Sequence, residues 1–212
     1  NVEQAGNAAY SAAAQVSQTF DVNAVVAGGP IIGSATAGDT QASVMFSAPT
    51  NNGGSAITDY TVTSSPGGLT ASGASSPLTV AGLTNGTAYT FSVTATNSAG
   101  ISGSSSASNS VTPIGSQTIT FSNPGAQNIG SSPTLTASAS SGLTPSFTSS
   151  TIGVCTISSG GTLSFVTTGS CTINVEQAGN AAYSAAVQVS QTFDVNAVVA
   201  GGPIIGSATA GD

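Results

Sequence analysis

The sequence predicts an all-β protein, two β-sandwich domains set in tandem within a 173-residue repeat. Three observations carry that reading. Apolar residues recur at every second position, which marks half-buried strands. In "AYTFSVTATN" Tyr89, Phe91 and Val93 share one parity, and Val187, Val189, Phe193 and Val195 share another row that Gln191 interrupts. Turn signals such as "PTNNGGS", "SPGG" and "TNGT" break the chain roughly every dozen residues, as in a sandwich, and no stretch carries a helical stripe. Finally, residues 1–39 reappear as residues 174–212 with one change, Ala14 against Val187. Copies this faithful mark a tandem array rather than ancient internal symmetry.

Taken in chain order, residues 1–23 read as the closing pair of strands of a module whose earlier strands precede them. Residues 24–29, within "NAVVAGGP", form a short linker. A first sandwich spans 30–114, with strands at "SVMFSAP", "ITDYTVTS", "PLTVAGL", "AYTFSVTATN" and "SNSVTPI". A second spans 115–197, with strands at "QTITF", "TLTAS", "SFTSS", "GVCTIS", "TLSFVTT", "CTINV" and "VQVSQTFDV". Residues 198–202 repeat the linker, and 203–212 begin another copy of the first module. The joints "NAVVAGGP" and "VTPIGSQT" are too brief to act as floppy spacers. Two strands cannot bury a face alone, so residues 1–23 need completing, either by the preceding part of a covalent array or by a neighbouring molecule. The chain's own copy at 174–196 competes in cis with strand donation, which favours the array.

Composition excludes several classes of chemistry. The chain has no Lys, Arg or His, and its charges are seven carboxylates, Glu3, Asp21, Asp39, Asp59, Glu176, Asp194 and Asp212. Nucleic-acid binding needs cations to displace phosphate counterions, and attraction to anionic lipid needs them too. Ser-His-Asp catalysis lacks a base, and zinc sites lack imidazole. No run approaches the ~20 apolar residues of a membrane span. With 39% hydrophobic and 5% aromatic residues, the sandwiches should be thin, with Ala and Thr in supporting positions.

The stretch "SVMFSAPTNNGGSAITDYTVTSSPGG" followed by "LTVAGLTNGTAYTFSVTATNSAG" resembles a bacterial fibronectin type III domain, covering nearly all of residues 30–114. The resemblance implies that Phe46 stands where the family often keeps a strand B Trp, that Tyr60 is the strand C aromatic, and that Leu83 and Tyr89 form a tyrosine corner. The loop "NSAGISG" holds no Arg or Asp, so an Arg-Gly-Asp mode of adhesion has no residues here. The second segment, "QTITFSNPGAQNIG" through "SCTINVEQAGNAAYSAA", is similar to Ig-like repeat domains of large bacterial surface proteins. That likeness implies an extracellular stalk of alternating modules and brings no catalytic residues.

Cys155 and Cys171 sit in paired "CTI" triplets. An even count in a surface-protein style of sequence points to a disulfide; the other reading is two buried free thiols. Asp21, Asp39 and Asp59 lie near or between the joints, where calcium is conceivable, yet no dense acidic motif occurs, so solvated surface is the expectation and no metal or cofactor is assigned. The same carboxylates are too sparse for glycoside hydrolysis and lack flanking sugar platforms. Thr on strands is ordinary solvent-facing chemistry rather than an ice-binding face, and Asn85-Gly86-Thr87 reads as a turn more readily than as a glycosylated sequon.

Two functions remain. One is a non-enzymatic structural unit of an extracellular or cell-surface fibre, whose partners are neighbouring repeats, end to end or laterally. Each 173-residue period carries four carboxylates, Glu3, Asp21, Asp39 and Asp59, so chains repel little and can bundle. The other is an adhesin or a carbohydrate- or receptor-binding module. Sugar sites favour aromatic faces, and the chain has no Trp and four Tyr, Tyr10, Tyr60, Tyr89 and Tyr183, most of which read as core or corner residues.

Overall fold

The structure, a computed structural model, describes residues 1–198; the expectations for most of the repeated linker and for residues 203–212 lie outside the described residues. Among these the chain is all-β, with fifteen strands. It divides into two compact units. The first comprises Asn1–Thr36, Ser43–Ala81 and Tyr89–Ser110; the second comprises Ala37–Ala42, Gly82–Ala88 and the chain from Val111 onward.

The first unit is built on β1 (Ile31–Ala37), β2 (Gln41–Ser47), β3 (Asp59–Ser65), β4 (Thr70–Gly73), β5 (Leu78–Ala81), β6 (Thr90–Asn97) and β7 (Gly100–Ile101). One sheet has the order β1-β2-β5 and the other β4-β3-β6-β7. Antiparallel pairing of β3 with β6 sets Tyr60 opposite Ala95 and Val62 opposite Val93. These four share the buried parity with Phe91, while the residues between them are part-exposed Thr and Ser. That alternation turns one face of each strand into core, and each buried Val or Phe contributes about 1.5–3 kcal/mol. Val44 and Phe46 of β2, with Val80 of β5, supply the opposing layer.

The expected strand at "SNSVTPI" is not a regular strand, and residues 102–110 pair with their neighbours in another way, described below. Strands β1, β4 and β7 were not anticipated. All three are short or irregular in their apolar spacing: β1 buries only Ala35 fully among seven residues, and β4 reads Thr-Ala-Ser-Gly.

The second unit contains β8 (Ile119–Phe121), β9 (Gln127–Asn128), β10 (Ala137–Ala139), β11 (Ser146–Ser149), β12 (Cys155–Ile157), β13 (Leu163–Phe165), β14 (Gly169–Glu176) and β15 (Val189–Asn196). A four-stranded sheet of order β11-β14-β15-β9 is accompanied by the pairs β10-β8 and β12-β13. The core comprises Phe121, Leu135, Leu163, Ile173, Val175, Phe193 and Val195 around the two cysteines. Two edge-on aromatic pairs lock it, Phe121 with Phe147 at 5.9 Å and Phe165 with Phe193 at 6.5 Å between ring centroids.

Candidate functional site

The residues singled out in the sequence occupy structural positions. Phe46 and Tyr60 are both buried and meet with ring centroids 4.9 Å apart at 49°. Leu83 and Tyr89 are each buried. Cys155 of β12 and Cys171 of β14 are bonded, S–S 1.99 Å, and neither sulfur reaches solvent. The bridge joins a two-stranded pair to the four-stranded sheet, and the Ser149 and Thr151 hydroxyls lie 3.4 Å from the Cys155 sulfur. Closing sixteen residues of chain is worth about 3 kcal/mol by loop entropy.

Among the described residues no group of three or more His, Cys, Asp or Glu side chains comes together. Three of the carboxylates instead meet amides. Asn85 donates Nδ2–H to Asp39 at 2.7 Å, Gln15 donates to Glu3 at 2.9 Å, and Gln188 donates to Glu176. A groove of about 420 Å³ beside Phe121 and Leu135 is open and walled mainly by Thr, Ser and Ala; its lining carries neither a carboxylate nor a thiol.

What the chain does organise is its joints. Residues 24–29 are bonded into the first unit. Val25 donates its N–H to the Gly53 carbonyl at 2.9 Å, and Gly28 donates to the Asn51 carbonyl at 2.9 Å. Buried Asn97, at the end of β6, spends both amide hydrogens on backbone, reaching the carbonyls of Val25 at 2.8 Å and Asn52 at 2.9 Å. Its Oδ1 accepts from Ala99 N–H, so one side chain ties the linker, the loop at Asn52 and the turn after β6. Gly53, at φ 72°, leaves room for none but hydrogen: a Cβ there would run into the Val25 carbonyl. Ala27 and Pro30 are buried in the same region. A linker left free would keep its N–H and C=O groups on water; here the Val25 N–H and C=O and the Gly28 N–H are held by protein.

The other expected joint is bonded within the second unit. Gly86 donates its N–H to Pro113 O at 2.8 Å, Gly115 donates to Ala182 O at 2.9 Å, and Ser184 donates back to Gly115 O at 2.9 Å. Asn85 accepts from Thr40 N–H as it donates to Asp39. A side chain on Gly115 would meet Asn85 Nδ2 at 2.8 Å and the Tyr183 ring at 3.1 Å, so the joint closes only around glycine.

Sequence reasoning missed one array. Along β6 the N–H groups of Ala95, Val93 and Phe91 donate to the hydroxyls of Ser102, Ser105 and Ser108 at 2.9–3.0 Å. The three serines donate their own N–H groups to the carbonyls of those same residues at 2.8, 2.9 and 2.9 Å. Each hydroxyl then donates to the next backbone carbonyl, that of Gly103, Ser106 or Asn109. Three residues on this segment therefore answer two on β6. Asn109 ends the run by accepting from Ala35 N–H at 2.8 Å and donating to Ala35 O at 3.1 Å, a side chain acting as a ladder residue on β1. The signal was in the text as Ser at every third position from Ser102 to Ser108.

Residues 31–111 match the model of the fibronectin type III domain. Among solved structures, the chain is similar to a segment of titin at 26% identity, over 42% of this chain and 32% of that one, with a TM-score of 0.40. It is similar to the FN1–FN3 domains of chicken CNTN1 at 16% identity, over 79% of this chain and 66% of that one, TM-score 0.39. It is also similar to a fourth FNIII domain from human at 22% identity, over 47% of this chain and 88% of that one, TM-score 0.38. The chain thus spans about a third of the titin segment it matches. No curated protein matches the chain.

Proposed function

We propose, from the premise that residues 31–111 form a fibronectin type III domain, that this chain is a structural repeat of an extracellular fibre or stalk and performs no catalysis. Fibronectin type III domains serve in general as structural and adhesion modules of extracellular proteins. The observation that carries the finer reading is the bonding of the linker: Val25, Gly28 and Asn97 hold residues 24–29 through three backbone-directed hydrogen bonds. A chain that only tethered a catalytic or binding head has no need of a linker held this way, whereas a load-bearing stalk does. The buried disulfide and the hydroxyl-rich, weakly charged surface suit a protein that works outside the cell.

The test is electron microscopy of a recombinant array of four 173-residue periods. Extended particles whose length grows by a constant increment per period support the fibre. Particles that collapse to coils of variable length, or an array that captures a glycan from an array of glycans, would overturn it in favour of flexible spacing or of binding.

A further inference from the structure

The chain holds two Asn-Gly pairs, Asn52-Gly53 and Asn85-Gly86, and each lies at one of the two bonded joints. An asparagine followed by glycine is open to self-deamidation, because a residue without a Cβ lets its nitrogen approach the preceding side-chain carbon. The two pairs differ in their surroundings. Asn52 is exposed, and the Gly53 N–H donates to the neighbouring Asn51 Oδ1 at 2.9 Å. Asn85 is half-buried within the second unit, and the Gly86 N–H donates across that unit to the Pro113 carbonyl at 2.8 Å. The Asn85 side chain is also held at both ends: Oδ1 accepts from Thr40 N–H at 2.9 Å, and Nδ2 donates to Asp39 Oδ1 at 2.7 Å. Thr40 keeps a φ of 52°, the one non-glycine residue in the left-handed region among the described residues, so Asn85 secures a strained turn as well.

We propose that Asn85 is a self-modification site that records opening of this joint. Closed, the joint protects the amide; open, it lets Asn85 deamidate, and the acid formed there keeps the joint from closing again. The device lies in the second unit alone and operates with or without a fibre.

The chemistry consumes water and no other reagent. With the joint open, the Gly86 nitrogen gives its proton to solvent and attacks Asn85 Cγ. A new N–C bond closes a succinimide ring, the bond from Cγ to the amide nitrogen breaks, and that nitrogen takes a proton from solvent and leaves as ammonia. Water then adds to either ring carbonyl and opens the ring, leaving aspartate or isoaspartate. In the closed joint the Gly86 proton is committed to Pro113, and Cγ is fixed between Asp39 and Thr40, so the two reacting atoms cannot turn toward each other.

The consequence follows from composition. Aspartate at position 85 replaces a donor with an acceptor at hydrogen-bond distance from the Asp39 carboxylate, setting two negative charges face to face. The chain has no Lys, Arg or His side chain to place between them. Isoaspartate adds a carbon to the main chain where Gly86 must reach Pro113, and so breaks the same joint by length. At position 52 the acid is tolerated, because Asn52 Oδ1 accepts from Gly54 N–H at 3.0 Å and a carboxylate oxygen accepts equally well.

The test follows both asparagines by peptide mass mapping of the 212-residue chain at mildly alkaline pH, folded and in urea. Asn85 is expected to deamidate at least ~10-fold more slowly in the folded chain than in urea. Gly115→Ala, whose Cβ would meet Asn85 Nδ2 at 2.8 Å, should erase most of that protection and leave the Asn52 rate of the folded chain unchanged. Asn85→Asp should speed amide exchange at Gly86 and Gly115 by roughly 10-fold. Adding Asp39→Asn restores one donor and one acceptor in swapped places and should return both amides to parent rates. Equal deamidation of Asn85 in the folded chain and in urea overturns the proposal, as does parent-like exchange in Asn85→Asp. A double variant no better than the single one overturns it too, since loss of a merely structural amide is not repaired from position 39.

Discussion

The Val25 N–H donates to the Gly53 carbonyl, and a Cβ on Gly53 would fall 2.0 Å from the Val25 carbonyl oxygen, so linker and loop meet backbone to backbone. This contact tolerates no side chain on the loop, whereas the next residue, Gly54, has a similar φ of 79° and open space around it. Gly54→Ala should cost only the left-handed penalty of about 1–2 kcal/mol. Gly53→Ala should cost about 1–3 kcal/mol more, since the linker bond must break as well. Urea unfolding of the first unit measures the difference; equal costs would show that the linker contact contributes nothing.

Asn97 is the second hold on the linker. Asn97→Ala leaves two carbonyls and one N–H without their partner in a buried site, and a loss of about 2–4 kcal/mol is expected from the first unit. Limited proteolysis with elastase should then cut near Val25 and Val26, bonds that resist in the parent chain. Resistance retained in Asn97→Ala would place the anchoring elsewhere.

Reduction of Cys155–Cys171 acts on one unit only. Because the chain holds two units, unfolding is expected in two transitions rather than one. Dithiothreitol should lower the second unit's stability by about 3 kcal/mol and leave the transition of the first in place. A shift of both transitions would mean that the units unfold as one.

The serine run makes a prediction with a period of three. Ser102→Ala, Ser105→Ala and Ser108→Ala each leave a β6 N–H without its acceptor and should cost about 1–2 kcal/mol. Exposed Ser104 and Ser106 lie outside the array, and alanine there should be neutral within ~0.5 kcal/mol. A flat profile across the five substitutions would refute the assignment of the hydroxyls as acceptors.

Legibility in the sequence followed how each strand is buried. Strands β3 and β6 bury every second residue across their length, and β14 and β15 do so around Ile173, Val175, Phe193 and Val195, so alternation was visible. Strand β1 is held largely by its neighbours: with Gly33 in its middle and one fully buried side chain, it has no period to read. Residues 108–114 looked like a strand because Val111 and Ile114 flank Pro113, yet the preceding serines had already set a three-for-two register that a search for period two passes over. The linker's brevity suggested stiffness, but its anchors, Asn97 and Gly53, lie far along the chain and carry no local mark.

The three-for-two register also bears on how chains of low charge lie beside one another. A sheet fuses with its neighbour when a flat row of N–H and C=O groups repeats every two residues. The border formed by residues 102–109 is spaced in threes, and its Gly103, Ser106 and Asn109 carbonyls already hold hydroxyl protons. Such a border offers no row that repeats every two residues, so a neighbouring molecule finds no ladder on it to extend into one continuous sheet.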